Sequence, residues 1–152
     1  MLFRSDFVLK LIKKWHSADR IKYISNSLKE NKSFILKAVE QNYYVFEHLS
    51  NSMKSNKDVV IKALQGSGYM LRSAPDQFKY NKEVVLIAVR NMGDALRYVS
   101  LSLKNDKDVV RTAILNEKIN KYEELSPFKY ASDTLKADKE FVKSLLDEKT
   151  LS

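Results

Sequence analysis

Leu28-Lys29-Glu30-Asn31-Lys32, Met53-Lys54-Ser55-Asn56-Lys57, Phe78-Lys79-Tyr80-Asn81-Lys82, Leu103-Lys104-Asn105-Asp106-Lys107 and Leu135-Lys136-Ala137-Asp138-Lys139 are one phrase repeated along the chain. From Asn31 to Asn56, Asn81 and Asp106 the step is 25 residues each time, and a fixed period of this size marks a stack of supersecondary units that share a core with their neighbours. The expected fold is all-α: an α-solenoid of about five 25-residue helix-turn-helix repeats plus a C-terminal capping helix. The units run over residues 4–30, 31–55, 56–80, 81–105 and 106–137, with the cap over 138–152, in a single domain.

Within a unit, Asn31, Asn56, Asn81, Asp106 and Asp138 stand where a helix N-cap belongs, because a short side-chain oxygen accepts an orphan backbone N–H. Asp58, Glu83, Asp108 and Glu140 follow two places later, in the first turn, where a negative charge meets the positive end of the helix dipole. The apolar residues then recur with helical spacing: Phe34, Ile35, Ala38, Val39; Val59, Val60, Ala63, Leu64; Val84, Val85, Ala88, Val89; Val109, Val110, Ala113, Ile114. Ala at the third of these places leaves room for a neighbour to approach closely. Phe7, Val8, Leu11 and Ile12 supply the corresponding face of the first unit.

Gly66, Gly68 and Gly93 break this pattern, and a short second helix is expected over Val45, Phe46 and Leu49, Met70, Leu71 and Ala74, and Ala95, Leu96 and Val99, ending at Ser50, Pro75 or Ser100. Leu28, Met53, Phe78, Leu103 and Leu135 each pin a connecting turn onto the core. Helices of seven to ten residues are too short to persist alone, since isolated helices need roughly 12 to 15, so stability comes from stacking. The fifth unit is longer, its surplus lying in 116–127 as a candidate specificity element.

The chain has 152 residues, no cysteine, three Gly and two Pro. That composition excludes disulfide frameworks and thiolate metal sites, and it argues against flexible linkers and turn-rich all-β folds. The opening residues do not read as a secretory signal, and no stretch approaches the roughly 18 apolar residues of a membrane span. The formal charge of +8 raises nucleic acid as a possible partner.

The phrase N-K-[DE]-V-V-x-x-A-[LV], followed by a Gly-containing turn, a short second helix and an [LMF]-K-x-[ND]-K linker, resembles the repeats of the domain-of-unknown-function 4116 family. The likeness spans nearly the whole chain and is sharpest from Asn56 to Ala113. It implies an all-helical tandem array of a kind encoded in intracellular bacteria, including secreted effectors of pathogens, and in protists. It carries no catalytic residue across. The second unit departs from its neighbours, with Tyr43-Tyr44 where they have Gly68-Tyr69 and Gly93-Asp94.

No residues announce a reaction. His16 and His48 lie more than a repeat apart, without metal-ligand spacing. Gly66-Ser67-Gly68 has no preceding strand and no following Lys-Ser/Thr pair, so it reads as an interhelical turn. Glu123 and Glu124, adjacent along the chain, point in different directions on a helix and read as solvated surface. No catalytic, cofactor or metal site is expected, and the chain reads as a non-enzymatic protein.

Stacking converts each place in the unit into a row. The linker row holds Lys29, Lys32, Lys54, Lys57, Lys79, Lys82, Lys104, Lys107, Lys136 and Lys139, but interleaved acids leave the five linkers at net +1, +1, +1, 0 and 0. It reads as a mixed-charge edge. The second-helix row holds Lys22-Tyr23, Glu47-His48, Arg72-Ser73, Arg97-Tyr98 and Lys129-Tyr130, with Tyr44 and Tyr69 nearby. Arg and Tyr are the residue types favoured at interface hot spots, and basic residues among aromatics also suit single-stranded nucleic acid. Two readings of this row stand side by side: rings packed between repeats with cations solvating the surface, or a binding strip. The expected function is a protein-protein interaction or scaffold module that binds a protein or peptide through Lys22, Tyr23, Tyr44, His48, Tyr69, Arg72, Arg97, Tyr98, Lys129 and Tyr130. Nucleic-acid binding and a secreted effector role are the alternatives. A cytoplasmic monomer, or a protein delivered into a host cell, is the corresponding expectation for location and state.

Overall fold

The computed structural model describes residues 5–15, 18–115 and 126–150. The first long helix is Ser5–Trp15, and the next five fall where the caps place them: Lys32–Gln41, Lys57–Gly66, Lys82–Asn91, Lys107–Leu115 and Lys139–Thr150. Asn31 Oδ1 accepts from the Phe34 amide at 3.0 Å, Asn81 Oδ1 from Val84 at 3.1 Å, and Asp138 Oδ1 from Phe141 at 3.0 Å. Asn56 and Asp106 each take two amides, those of residues 58 and 59 and of residues 108 and 109. Each long helix packs on the next, and the four apolar places of the inner units are buried in one continuous core.

The second element of every unit is a 3₁₀ helix: Ala18–Tyr23, Tyr43–His48, Gly68–Ser73, Gly93–Tyr98 and Ser126–Tyr130. Over six residues the spacings of three and four that a sequence shows fit either helix type, and these segments take the tighter one. These 3₁₀ helices contact one another in chain order and form a second layer beside the long helices. Ser67 alone separates the long helix ending at Gly66 from the 3₁₀ helix beginning at Gly68, so Gly66-Ser67-Gly68 is an interhelical turn.

The segment expected as a plain connecting turn is itself helical. Asn26–Lys29, Asn51–Lys54, Asp76–Lys79 and Asp133–Ala137 are single α-turns, and Leu103–Asn105 is 3₁₀. The second helix ends at His48, Ser73 and Tyr98, two residues before the expected Ser50, Pro75 and Ser100, and the Ser25, Ser50 and Ser132 hydroxyls cap this third element by accepting from the amides of Leu28, Met53 and Leu135. Met53, Phe78 and Leu135 on it are buried, and Leu28 and Leu103 are partly buried against the core.

Backbone bonds cross between units here. The Ser100 amide donates to the Lys79 carbonyl at 3.1 Å, and the Ser132 amide to the Lys104 carbonyl at 3.0 Å. One core expectation is corrected: Phe7 is 47% exposed, whereas its counterparts Phe34, Val59, Val84, Val109 and Phe141 are buried. Among the described residues the first long helix packs on one other long helix, that of the second unit.

Candidate partner-binding surface

The linker edge is an ion-pair ladder. Lys32 Nζ reaches Asp58 at 2.5 Å, Lys57 reaches Glu83 at 2.6 Å, Lys82 reaches Asp106 at 2.7 Å and Asp108 at 2.9 Å, and Lys107 reaches Asp138 at 2.7 Å. In every rung the second Lys of one phrase meets acids at the start of the next long helix. The Lys32 hydrogen bond holds the Asp58 carboxyl below its ordinary range, and the Lys107 hydrogen bond does the same for Asp138. Burial pushes Asp106 up, but the bond from Lys82 and the Val109 and Asp108 amides outweigh it and hold it low.

The first Lys of the phrase turns inward in two units, where Lys54 donates to the Glu47 carbonyl and Lys104 to the Arg97 carbonyl, both at 2.9 Å. In the latter, burial and then the nearby Lys136 push the Lys104 ammonium down. These two cations are engaged within the fold by backbone carbonyls, which the charge count did not address.

Along the 3₁₀ layer the expected row becomes a chain of contacts. Glu47 Oε1 accepts from Arg72 Nη2 at 3.0 Å, one unit on, and this bond raises the Arg72 pKa further. The Arg72 guanidinium lies 4.8 Å from the centre of the Tyr69 ring, and Tyr69 meets Tyr98 edge to face at 5.5 Å. Arg97 then lies over two rings, Tyr98 at 5.3 Å and Tyr130 at 5.6 Å, and Lys129 sits over Tyr130 at 5.1 Å. Tyr69, Tyr98 and Tyr130 are half-buried against the core while Arg72, Arg97 and Lys129 are exposed. Burial, and after it the Tyr69 hydroxyl, pushes the Tyr98 phenol up. Rings inward and cations outward is the arrangement that the packing reading describes.

Six of the ten expected residues are joined in this way, and Glu47, which was not among the ten, joins them through Arg72. The others stand apart. The Tyr44 ring lies against that of Tyr43, tilted by 40° with 4.6 Å between ring centres. His48 is half-buried. Lys22 and Tyr23 are exposed, Tyr23 at 81%. Their 3₁₀ helix touches the next one, but neither side chain takes part in the run of contacts.

The profile of the family described as domain of unknown function (DUF4116) matches the chain four times, over residues 5–54, 31–79, 56–101 and 81–126. The chain belongs to that family. Each DUF4116 match spans two units and begins about one unit after the last, so 31–54 closes one match and opens the next. No curated protein and no solved structure gives a significant match. His16 and the Glu123-Glu124 pair lie outside the described residues, as does most of the 116–127 insertion. Among the described residues no three His, Cys, Asp or Glu side chains stand together as metal ligands, and no helix is long and apolar enough to cross a membrane.

Proposed function

We propose that this DUF4116 chain is a non-enzymatic interaction or scaffold module that docks a protein or peptide partner along its 3₁₀ layer. One observation carries the reading: the run from Arg72 through Tyr69, Tyr98 and Arg97 to Tyr130 spans three units without a break. Fixed aromatic rings offer contact area at low entropic cost, and Arg97, with ring contacts but no ion pair among the described residues, can meet a carboxylate. Copurification from a lysate tests this. Arg72→Ala, Arg97→Ala and Tyr98→Ala combined should abolish capture of a stoichiometric partner, with the fold checked by denaturant midpoint; retained capture moves the site elsewhere.

The ion-pair ladder weighs against a polyanion partner, because it already engages Lys32, Lys57, Lys82 and Lys107. Titration with DNA or RNA at low salt addresses that class directly. Affinity that falls steeply with salt would favour it, and absence of binding removes it.

A further inference from the structure

The joint between the long helices Ser5–Trp15 and Lys32–Gln41 differs in charge from the one that follows it. At that next joint Lys32 pairs with Asp58 on the linker edge, and on the outward face of the long helices Lys62 pairs with Glu40 at 3.2 Å. The repeat register puts Ser5 and Ser33 in the places of Lys32 and Asp58, and Lys13 and Lys37 in the places of Glu40 and Lys62. Two hydroxyls therefore stand where a rung would cross, and two cations where an ion pair would form. Further along, the same outward places hold Gln65 and Ile87, Arg90 and Thr112, and Leu115 and Ser144. Among these joints only the first sets two like charges together.

Lys13 and Lys37 are exposed, and neither forms an ion pair among the described residues. Lys10 lies one turn before Lys13, and Glu40, one turn on from Lys37, is held by Lys62. Like charges set across a contact weaken it, and an anion between them reverses the sign. Beside Lys37 a depression of about 190 Å³ opens between the two helices, with Ser5 and Ser33 on its wall. Leu9, Leu28 and Phe34 give it an apolar lining, and Asp6 is its one carboxylate.

We propose that this joint is a second docking surface, which takes an acidic segment of a partner protein. A partner carboxylate bridges the Lys13 and Lys37 ammonium groups, as Glu40 does for Lys62, and a neighbouring aliphatic side chain enters the depression over Leu9, Leu28 and Phe34. The outward places lie across each long helix from the buried face that meets the 3₁₀ layer, so this surface is separate from the row through Arg72 and Arg97. Two cations, with a third a turn away, match one or two carboxylates and are too few for the run of phosphates that a nucleic acid presents. A bilayer takes up apolar side chains that protrude, whereas Leu9 and Phe34 are recessed between helices and receive a side chain.

Titration of the chain with a short capped peptide of Glu and Leu, beside a twin carrying Gln for every Glu, tests the site by amide chemical shifts. The acidic peptide should bind the more tightly, with shifts centred on residues 5–13 and 28–37, and added salt should weaken it. Lys13→Glu writes the Glu40 and Lys62 arrangement into the first joint, so affinity should fall about tenfold while the urea midpoint holds or rises. Ser5→Lys combined with Ser33→Asp writes the missing rung across the depression and should also weaken binding. Arg97→Ala should leave this binding unchanged, which separates failure here from failure of the 3₁₀ surface. Equal affinity for the two peptides, shifts centred on the 3₁₀ layer, or tighter binding of phosphatidylserine vesicles or single-stranded DNA at the same lysines overturns the proposal. So does a fall in the Lys13→Glu midpoint, which would mean that residues 13 and 37 do not face each other.

Discussion

The Gly68 amide donates to Asn91 Oδ1 at 2.7 Å, and Asn91 Nδ2 donates in turn to the Gln65 carbonyl at 3.0 Å, so one side chain of the fourth unit clamps the turn of the third from both ends. The clamp depends on close approach. A Cβ on Gly68 would stand 2.2 Å from the Ala88 carbonyl oxygen, and one on Gly93 would stand 2.3 Å from that of Ala113. The obstacle in both cases is backbone, which cannot swing aside. Gly68→Ala and Gly93→Ala should each lower stability by about 2–3 kcal/mol, read as a fall in the urea midpoint without a change of slope.

One unit earlier the bulk changes sides. Tyr43 stands in the place of Gly68, and Gly66 in the place of Asn91; a Cβ on Gly66 would come within 2.7 Å of the Tyr43 side chain. The two joints solve one packing problem with large and small residues exchanged. Gly66→Asn should therefore destabilise, and adding Tyr43→Gly should recover part of the loss by recreating the Gly68 and Asn91 arrangement. A double-mutant cycle should show a favourable coupling of about 1–2 kcal/mol; additive losses would mean that the exchange is incidental.

Much of this fold is legible in the sequence because repetition supplies its own alignment. Asn31, Asn56 and Asn81 cap where the period places them, and Ala88 and Ala113 lie under the glycines of the preceding units, as a small residue at a close approach should. The 3₁₀ character of Gly68–Ser73 and its equivalents was not legible, since six residues do not separate a period of 3.0 from one of 3.6. The α-turn at Asn51–Lys54 was hidden for a related reason: four residues hold no periodicity, and only the Ser50 cap marks it. In the row, the register aligned Arg72, Arg97 and Tyr98, but which cation covers which ring depends on rotamers that spacing does not fix. Glu47 looked like an exception among basic residues, and it proves to be the partner of Arg72.

The ladder predicts how stability responds to acid. Asp58, Asp106 and Asp138 all have folded values below the ordinary 3.8, so the folded state holds their protons less tightly than the unfolded chain does. Their contribution is complete above that value and is lost as pH falls through the lowered ones. The urea midpoint should be flat near neutral pH and fall below about pH 4. Replacing Lys32, Lys82 and Lys107 with Gln should lower the neutral midpoint slightly and flatten the acid limb. An acid limb unchanged by those substitutions would place the response in other carboxylates. Added salt should mimic part of the substitution, because the pairs are exposed.

At the alkaline end the same logic runs through Tyr98. Its phenol is raised above the ordinary 10.0, by burial first and then by the Tyr69 hydroxyl, against the opposing pull of Arg97 and Arg72. A raised phenol adds stability that is complete below the ordinary value and is lost as pH rises through the folded one. Tyr98→Phe keeps the ring that meets Tyr69 and Arg97 but removes the ionisable group, so the alkaline fall in midpoint should shrink while stability near neutral pH changes by less than about 1 kcal/mol. Tyr98→Ala removes the ring as well and should cost about 2 kcal/mol at neutral pH. If Tyr98→Phe proved as damaging as Tyr98→Ala, the hydroxyl rather than the ring would hold the 3₁₀ layer together at this joint, and the edge contact with Tyr69 would be a consequence of that hydrogen bond.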